Sequence, residues 1–250
     1  MTSLPITPLP ITPLAARRLL AVMPHPDDEA YSAAGTLALA TDRGAVAGVL
    51  CVTRGEAGGD ADVRAAELRS ACDAIGAELL PTLGWPDGGV AGLVESSAVT
   101  TLRAALLGWR PDVVLGLAGD GAYGHADHLA LHRLLRQAVH GLACADTGPS
   151  WTPPALYEAV FPRRHFHPVW RSMRRRGFTF VPTGWTPERF GAAPEATDVV
   201  VDLSDVAGRK RAAIAAHTSQ LGGAAPEDFL RPGLMLPLLQ LERWRLVQVP

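Results

Sequence analysis

Short, uninterrupted apolar runs alternate with amphipathic segments along the first two thirds of the chain. Such runs are typical of strands buried on both faces of a parallel sheet, whereas apolar residues at helical spacing indicate helices that cover the sheet. The runs predict strands at 19–23, 45–52, 78–83, 111–117 and 155–161. The segments between them predict helices at 30–42, 63–75, 97–109 and 129–139.

This alternation predicts the fold class. It indicates an α/β protein with a Rossmann-like, mostly parallel sheet that is sandwiched by helices in a single domain. With 250 residues, of which 48% are hydrophobic, the chain can bury such a core, although the length alone would also permit two domains. Beyond residue 149, apart from the run at 155–161, the pattern weakens. It predicts one more strand at 197–203 and a helix at 205–217, and it leaves the apolar C-terminal remainder unassigned.

Two segments fall outside this pattern. Residues 1–16 contain a tandem Leu-Pro-Ile-Thr-Pro repeat, which predicts a flexible, polyproline-like arm before a domain at 17–250. Residues 163–195 are rich in proline and arginine and are expected to form a variable flap. We favour a flap over the mouth of a site, where its arginines attract an anionic substrate. A nucleic-acid patch and a merely solvated flap are the alternatives.

Charge and cysteine content limit the classes of partner and compartment. A net charge of −2 provides no general attraction to nucleic acid or to a membrane surface. No stretch has the roughly 18 uncharged apolar residues of a membrane span, and prolines interrupt the apolar run that a secretory signal needs. Cys51, Cys72 and Cys144 lack C-x-x-C spacing and are typical of reduced thiols. We therefore expect a cytoplasmic protein with no membrane span and no nucleic-acid partner. The oligomeric state is not predicted.

Polar side chains cluster after two of the predicted strands. The cluster at 24–29 reads Pro-His-Pro-Asp-Asp-Glu and follows the strand at 19–23, and the prolines on either side of His25 restrict the backbone that aims its ring. The cluster at 119–128 follows the strand at 111–117. Ligands bind at the carboxyl ends of strands in sheets of this class, so the two clusters predict a single site.

Two histidines and one carboxylate in these clusters form a candidate metal site. His25, Asp28 and His128 match the ligand set of a catalytic zinc site that keeps an open position for water, although Fe(II) or another divalent ion can occupy such a set. Asp27 adjoins a ligand and could accept the proton of that water, so that neighbouring carboxylates divide ligation and general-base work. His125 and Asp127, three residues and one residue before His128, could orient a metal ligand or stabilise a developing oxyanion.

The clusters resemble the motifs of a known family, the LmbE/PIG-L zinc-dependent N-deacetylases. The resemblance is carried by Pro-His-Pro-Asp-Asp-Glu at 24–29 and Tyr-Gly-His-Ala-Asp-His at 123–128. It extends to 53–56, to Asp87 after Gly-Trp-Pro and to 210–220, and covers most of the chain except the arm and the flap. Members of that family have a Rossmann-like sheet and remove acetyl groups from N-acetylglucosamine-type amino sugars in glycolipids, thiol precursors and antibiotics.

The resemblance also implies roles for individual residues. It implies that His25, Asp28 and His128 bind the metal and that Asp27 is the general base. It also implies that His125 is the positively charged partner of the tetrahedral intermediate and that Asp127 holds His125 in place. It further implies that Arg64 and Asp87 hold sugar hydroxyls and that Tyr123 polarises the amide carbonyl. Ala126 departs from the family pattern, where proline is frequent, and this departure changes no functional side chain.

The sequence therefore predicts a zinc-dependent hydrolase that removes the N-acetyl group from a small molecule containing N-acetylglucosamine. One alternative keeps this machinery but cleaves a larger amide, such as a thiol conjugate or an N-acyl antibiotic. The non-enzyme alternative is a sugar-binding module with a relict site, and the presence of three ligands and a base argues against it. Glu29 is expected to stabilise a helix N-terminus, whereas His217 is either a structural hydrogen-bonding residue or a neighbour of the site.

Overall fold

The computed structural model describes residues 12–144, 151–165, 190–222, 225–226 and 237–248. The predicted arm lies outside the described residues up to residue 11, and the central part of the predicted flap, 166–189, also lies outside them. The described end of the arm contains a short 3-10 helix, Pro13–Ala15.

Seven strands of the described chain form one sheet. In chain order they are β1 (Arg18–Met23), β2 (Val46–Cys51), β3 (Glu78–Leu79), β4 (Val113–Leu117), β5 (Ala155–Ala159), β6 (Val199–Asp202) and β7 (Leu241–Leu246). Their spatial order is β3-β2-β1-β4-β5-β7-β6. The first five of these are parallel, and β7 runs antiparallel to both of its neighbours. This mostly parallel sheet confirms the predicted fold class.

Helices cover both faces of the sheet. In chain order they include α1 (Asp28–Ser32), α2 (Ala34–Asp42), α3 (Ala61–Ile75), α4 (Glu95–Trp109), α5 (Gly121–Gly124), α6 (Ala126–Ala143), α7 (Ala207–Ala216) and α8 (Thr218–Leu221). Helices α2, α3 and α7 pack together on one face, and α4 and α6 pack on the other. Among the described helices, none combines the length and the hydrophobicity that crossing a membrane requires.

The central strand β1 shows why its apolar run is uninterrupted. Leu19, Ala21 and Met23 pack in the helix layer of α2, α3 and α7. Leu20 and Val22 pack in the layer of α4 and α6, and all five side chains are fully buried. Successive side chains of a strand point to opposite faces, so a strand covered on both sides has no polar face.

The crevice between β1 and β4 is where the chain changes direction in the sheet. From β1 the chain continues to β2 on one side, and from β4 it continues to β5 on the other side. Doubly wound sheets bind ligands beyond the carboxyl ends of such adjacent strands. Both polar clusters recognised in the sequence follow these two strands.

Several elements differ from the expectation. The strand predicted at 78–83 is limited to β3, Glu78–Leu79, and Pro81 has no N–H with which to continue it. The predicted helix at 30–42 is divided into α1 and α2, because Ala33 departs from helical geometry with φ −133° and ψ −15°. The sequence pattern does not predict strand β7, because its buried positions are occupied by Glu242 and Trp244 and alternate with arginines. A buried glutamate removes the apolar alternation by which a strand is recognised in a sequence.

Candidate active site

The loops that follow β1 and β4 meet in the crevice beyond the sheet. The first loop contains His25 and ends at Asp28, the first residue of α1. The second loop leads into α5, where Ala122 has φ 62° and ψ −57°, and enters α6 through its N-cap residue His125. His128 lies in the first turn of α6. These two loops and the segments beside them bring seven of the nine predicted site residues into one network of contacts. The other two, Asp27 and Arg64, contact each other beside it.

Three prospective ligand atoms form a nearly equilateral triangle. His25 Nδ1 lies 3.2 Å from Asp28 Oδ2 and 3.2 Å from His128 Nε2. The third side, from His128 Nε2 to Asp28 Oδ2, measures 3.3 Å. A tetrahedral zinc site with bonds of about 2.0–2.1 Å separates its ligand atoms by roughly 3.3–3.4 Å. The triangle therefore fits three corners of such a site.

The partners of the two imidazoles direct one lone pair of each toward this triangle. His128 Nδ1 lies 3.2 Å from the carbonyl oxygen of Gly121, which can only accept, so in the neutral ring Nε2 is unprotonated. His25 Nε2 lies 3.0 Å from Asp87 Oδ1 and 3.3 Å from Asp127 Oδ2, so it carries the ring proton and leaves Nδ1 for a ligand bond. Carbonyl and carboxylate groups behind ligating histidines are a usual way of fixing the tautomer.

Negative charge is concentrated around His25. Burial disfavours a charged imidazole, but hydrogen bonds with Asp127, Asp28 and Asp87 raise the pKa of His25 well above its ordinary value. Burial likewise disfavours a charged carboxylate, but the charges of His128 and His25 and their hydrogen bonds hold the pKa of Asp28 well below its ordinary value. This excess of carboxylates around a buried ring is the environment that a divalent cation would neutralise.

Asp127 contacts His25 with its carboxylate and His125 with its backbone. The fully buried carboxylate lies 3.3 Å from His25 Nε2 and accepts hydrogen bonds from the N–H groups of Gly88 (2.7 Å) and Val90 (3.0 Å). The backbone N–H of Asp127 donates to His125 Nδ1 at 3.2 Å. The predicted link between Asp127 and His125 thus runs through the main chain, and the side chain orients a prospective ligand instead.

His125 is held as a neutral imidazole. Because Nδ1 accepts the N–H of Asp127, that nitrogen carries no proton, and the ring proton lies on Nε2. Burial, together with the charges of His128 and His25, lowers the pKa of His125 to about 3. The family resemblance implied a positive charge on His125, whereas this arrangement favours the neutral ring. A cation bound at its neighbours would disfavour that charge further.

Asp27 has a strained backbone and a carboxylate that can be protonated near neutral pH. Its φ of 112° and ψ of −30° are not adopted by non-glycine residues without strain, which costs about 1–3 kcal/mol. Arg64 Nη2 donates to Asp27 Oδ2 at 3.2 Å and to the carbonyl oxygen of Pro26. Burial, reinforced by the charge of Asp28, raises the pKa of Asp27 to about 7. A general base needs such a pKa, close to the working pH.

Arg64 and Asp87, for which sugar contacts were predicted, both have protein partners. The side chain of Arg64 is 4% exposed, and its Nη1 donates to the carbonyl of Gly55 at 2.8 Å. Asp87 contacts His25 with Oδ1 and accepts the N–H of Ala57 with Oδ2 at 2.9 Å. In this arrangement the two side chains organise the loops around the crevice.

Tyr123 lies beside the imidazoles. Its ring centroid is 5.3 Å from that of His128 and 6.2 Å from that of His125. Burial and the charges of Asp28 and Asp27 raise the pKa of Tyr123 well above its ordinary value, so its phenol stays a neutral O–H donor. Both observations are compatible with the predicted polarisation of an amide carbonyl.

Sequence reasoning also missed the contact between Glu29 and His217 beside the site. Glu29, which was expected only to stabilise a helix N-terminus, is fully buried. Its Oε1 lies 2.7 Å from His217 Nε2, and its Oε2 accepts the N–H of Asp27 at 3.0 Å. The two partners of this pair are 188 residues apart, and the family-like segment around His217 was the only signal for their proximity.

The family model described as "PIG-L: GlcNAc-PI de-N-acetylase" matches residues 20–139 of this chain. A relative from Nocardia farcinica named 1D-myo-inositol 2-acetamido-2-deoxy-alpha-D-glucopyranoside deacetylase is 34% identical to it. That match covers 92% of this chain and 90% of the relative. A relative of the same name from Rhodococcus opacus is 32% identical, over 94% of this chain and 93% of its own.

Several solved structures share the fold. A conserved protein from Thermus thermophilus superimposes with a TM-score of 0.63 and 28% identity, over 93% of this chain and 95% of its own. The N,N'-diacetylchitobiose deacetylase of Pyrococcus horikoshii has a TM-score of 0.62 and 21% identity, over 93% of this chain and 84% of its own. The 4-carboxy-2-hydroxymuconate hydratase GalB of Pseudomonas putida has the same TM-score with 19% identity, over 93% of this chain and 96% of its own. Since a deacetylase and a hydratase are equally similar, the fold alone does not decide the reaction.

Proposed function

This chain belongs to the PIG-L (LmbE) family, and from that premise we propose that it is a metal-dependent hydrolase of N-acetylated amino sugars. It removes the N-acetyl group from a small molecule that contains N-acetylglucosamine and releases acetate and a free amine. The observation that carries this proposal is the triangle of His25 Nδ1, Asp28 Oδ2 and His128 Nε2, with the Asp27 carboxylate adjoining it in sequence.

The names of the curated relatives support a narrower substrate class. Relatives that match about nine tenths of this chain are named as deacetylases of an inositol glycoside of N-acetylglucosamine. We therefore propose a glycoside of N-acetylglucosamine with a cyclitol aglycone as the first substrate to test. A larger amide is the alternative, and the same assay distinguishes it.

His25, Asp28 and His128 would hold the metal, which by their ligand types is zinc by default and iron(II) as a second choice. A divalent ion held there supplies Lewis acidity, which activates water near neutral pH and polarises the acetyl carbonyl. Asp127 and Asp87 keep the proton of His25 on Nε2, and the Gly121 carbonyl does the same for Nδ1 of His128.

The remaining residues act on protons and on the substrate carbonyl. Asp27 accepts the proton of the attacking water, and its pKa of about 7 suits that task. His125, protonated at Nε2 in its neutral form, donates a hydrogen bond to the developing oxyanion, and Tyr123 donates from the adjacent position. Arg64 positions the Asp27 carboxylate instead of holding a sugar hydroxyl.

Replacement of Asp27 by asparagine tests this assignment. Asp27→Asn removes the base but keeps the size of the side chain, so turnover should fall by about 10²- to 10⁴-fold while the bound metal remains. Asp62→Asn is the matched control, because its carboxylate is 91% exposed and lies outside the crevice. Release of free amine from N-acetylglucosamine conjugates measures turnover, and elemental analysis measures the metal. Near-wild-type hydrolysis by Asp27→Asn would show that the base is assigned wrongly.

The cellular location is also a proposal. The described cysteines are free thiols, two of them buried, as expected of a protein from a reducing compartment. We propose a cytoplasmic location on that ground, and fractionation of expressing cells tests it.

A further inference from the structure

The backbone of Asp27 requires support from outside its own loop. A φ of 112° is ordinarily adopted by glycine, and Asp27 is the N-cap of α1 without a capping hydrogen bond from its own side chain. His25, two residues before it, and Asp28, the next residue, are prospective metal ligands. Relaxation of the backbone at Asp27 would therefore move the base relative to the metal position.

Glu29 supplies this support from the main-chain side. Its Oε2 accepts the N–H of Asp27 at 3.0 Å, which resembles half of a capping box. An ordinary capping glutamate lies at the protein surface, whereas Glu29 is fully buried. Its other oxygen, Oε1, lies 2.7 Å from His217 Nε2, so both oxygens of the carboxylate have defined partners.

His217 is itself held in place by a separate anchor. It lies between α7 and α8 and is 1% exposed. In the next two residues, Thr218 Oγ1 donates to Glu67 on α3 at 2.8 Å, and the N–H and hydroxyl of Ser219 donate to the same carboxylate at 2.7 Å each. His217 Nδ1 is buried and has no hydrogen-bond partner within the described part of the chain. The ring is thus fixed by its Glu29 contact and by the anchored backbone that follows it.

Arg64 holds the opposite side of Asp27. It donates to Oδ2 of that residue and to the carbonyl oxygen of Pro26, and it does not donate to the second carboxylate oxygen, Oδ1. The N–H and one carboxylate oxygen of Asp27 are therefore occupied. Oδ1 is the carboxylate oxygen that can take up a proton without competing with the Arg64 contact.

We propose that Glu29 and His217 form a positioning pair that holds the strained backbone of Asp27, so that its carboxylate serves as the base. This inference rests on the proposed function of Asp27. Neither member of the pair touches the prospective metal ligand atoms, so both act through Asp27 and not on the substrate.

The pair predicts a specific kinetic pattern. Displacement of a catalytic group by about 1 Å can cost on the order of 10²-fold in rate, so Glu29→Ala and His217→Ala should each lower kcat by about 10- to 100-fold. KM should stay within about twofold, because the pair is remote from substrate. Bound metal should remain stoichiometric, since the contacts that orient the ligands are intact.

Conservative variants should restore activity. Glu29→Gln keeps an oxygen for the N–H of Asp27, and its amide N–H can donate to His217 Nε2 once the ring proton moves to the unoccupied Nδ1. His217→Gln keeps a donor for Glu29. Both should retain kcat within about threefold of wild type. Gly48→Ala is the stability control, because its Cβ would meet Trp109 at 2.8 Å in the core and should lower Tm without a change in kcat.

A cycle with Asp27→Asn separates this inference from the proposed function. If the pair acts through the base, Glu29→Ala should add less than about twofold to the loss already caused by Asp27→Asn. Retention of turnover by Asp27→Asn would refute the proposed base. A large loss in Asp27→Asn with wild-type kcat in folded Glu29→Ala would refute only the positioning pair. Loss of metal in Glu29→Ala, or an undiminished effect in the Asp27→Asn background, would also overturn it.

Discussion

The most exacting stability prediction concerns a buried ion pair that joins α7 to β7. Lys210 is fully buried, and its Nζ lies 2.6 Å from Glu242 Oε1 and 2.9 Å from the carbonyl oxygen of Tyr31. Glu242 also accepts the N–H groups of Gly35 (2.9 Å) and Thr36 (2.8 Å) at the start of α2. The carboxylate therefore has three donors, whereas the ammonium group depends on one carboxylate and one carbonyl.

This asymmetry predicts that removing either partner lowers the free energy of unfolding, but by unequal amounts. Glu242→Gln leaves a buried ammonium without a counter-charge and places an amide N–H among donors, so it should cost about 3–5 kcal/mol. Lys210→Met leaves a carboxylate that still has two backbone donors and the positive end of α2, so it should cost roughly 2–3 kcal/mol. At about 2–4 °C per kcal/mol for a chain of this size, Glu242→Gln should lower Tm by about 6–20 °C.

Urea denaturation of both single variants and of the double variant measures these losses in the free energy of unfolding. The cost of the double variant should fall short of the sum of the single costs by at least about 1 kcal/mol, since the two groups interact directly. Burial already lowers the pKa of Lys210 despite Glu242, so the cost of Glu242→Gln should shrink as the pH is raised and the amine loses its proton. A larger cost for Lys210→Met than for Glu242→Gln would refute this reasoning, as would additive costs.

Two further predictions concern packing and pH. Hydrogen bonds from Ser219 and Thr218 hold the pKa of Glu67 below its ordinary value against the effect of burial. Glu67→Gln should therefore cost about 1–2 kcal/mol at neutral pH, and the difference from wild type should vanish as the pH falls through the lowered pKa. Denaturation at a series of pH values from 7 downward measures this, and a pH-independent difference would contradict it. Gly35→Ala should cost about 1–3 kcal/mol, because a Cβ there would lie 2.5 Å from the buried side chain of Leu203. Thermal unfolding should show that Leu203→Val recovers part of the loss, and an unchanged Tm for Gly35→Ala would refute the clash.

Local patterns predicted much of the fold. The runs that form β1, β2, β4 and β5 are recognisable because these strands are covered on both faces, and the structure confirms the α/β class. Strand β7 could not be recognised, because Glu242 occupies a core position there and its partners within the described part of the chain come from α2 and α7. A partner that lies far away in the chain leaves no periodic signal in the sequence.

The candidate site shows the same division. The sequence identified its residue types and their place at two strand ends. The structure brings these residues together, while their roles remain proposals. The contacts of Arg64 and Asp87 with protein groups, the neutral state of His125 and the pairing of Glu29 with His217 were not predicted.

The sequence by itself determined which groups could do chemistry, because residue identity and strand-end position follow from covalent order and local periodicity. In the cluster at 24–29, it identified two prospective ligands and a neighbouring carboxylate. Only the tertiary structure decided which nitrogen of each imidazole is protonated, which carboxylates lie behind His25, and what holds Asp27 at φ 112°. Some of these features depend on contacts between residues close in the chain, such as His128 and Gly121, which are 7 positions apart. Others depend on contacts between residues from about 40 to nearly 190 positions apart, and burial gives such bonds their strength.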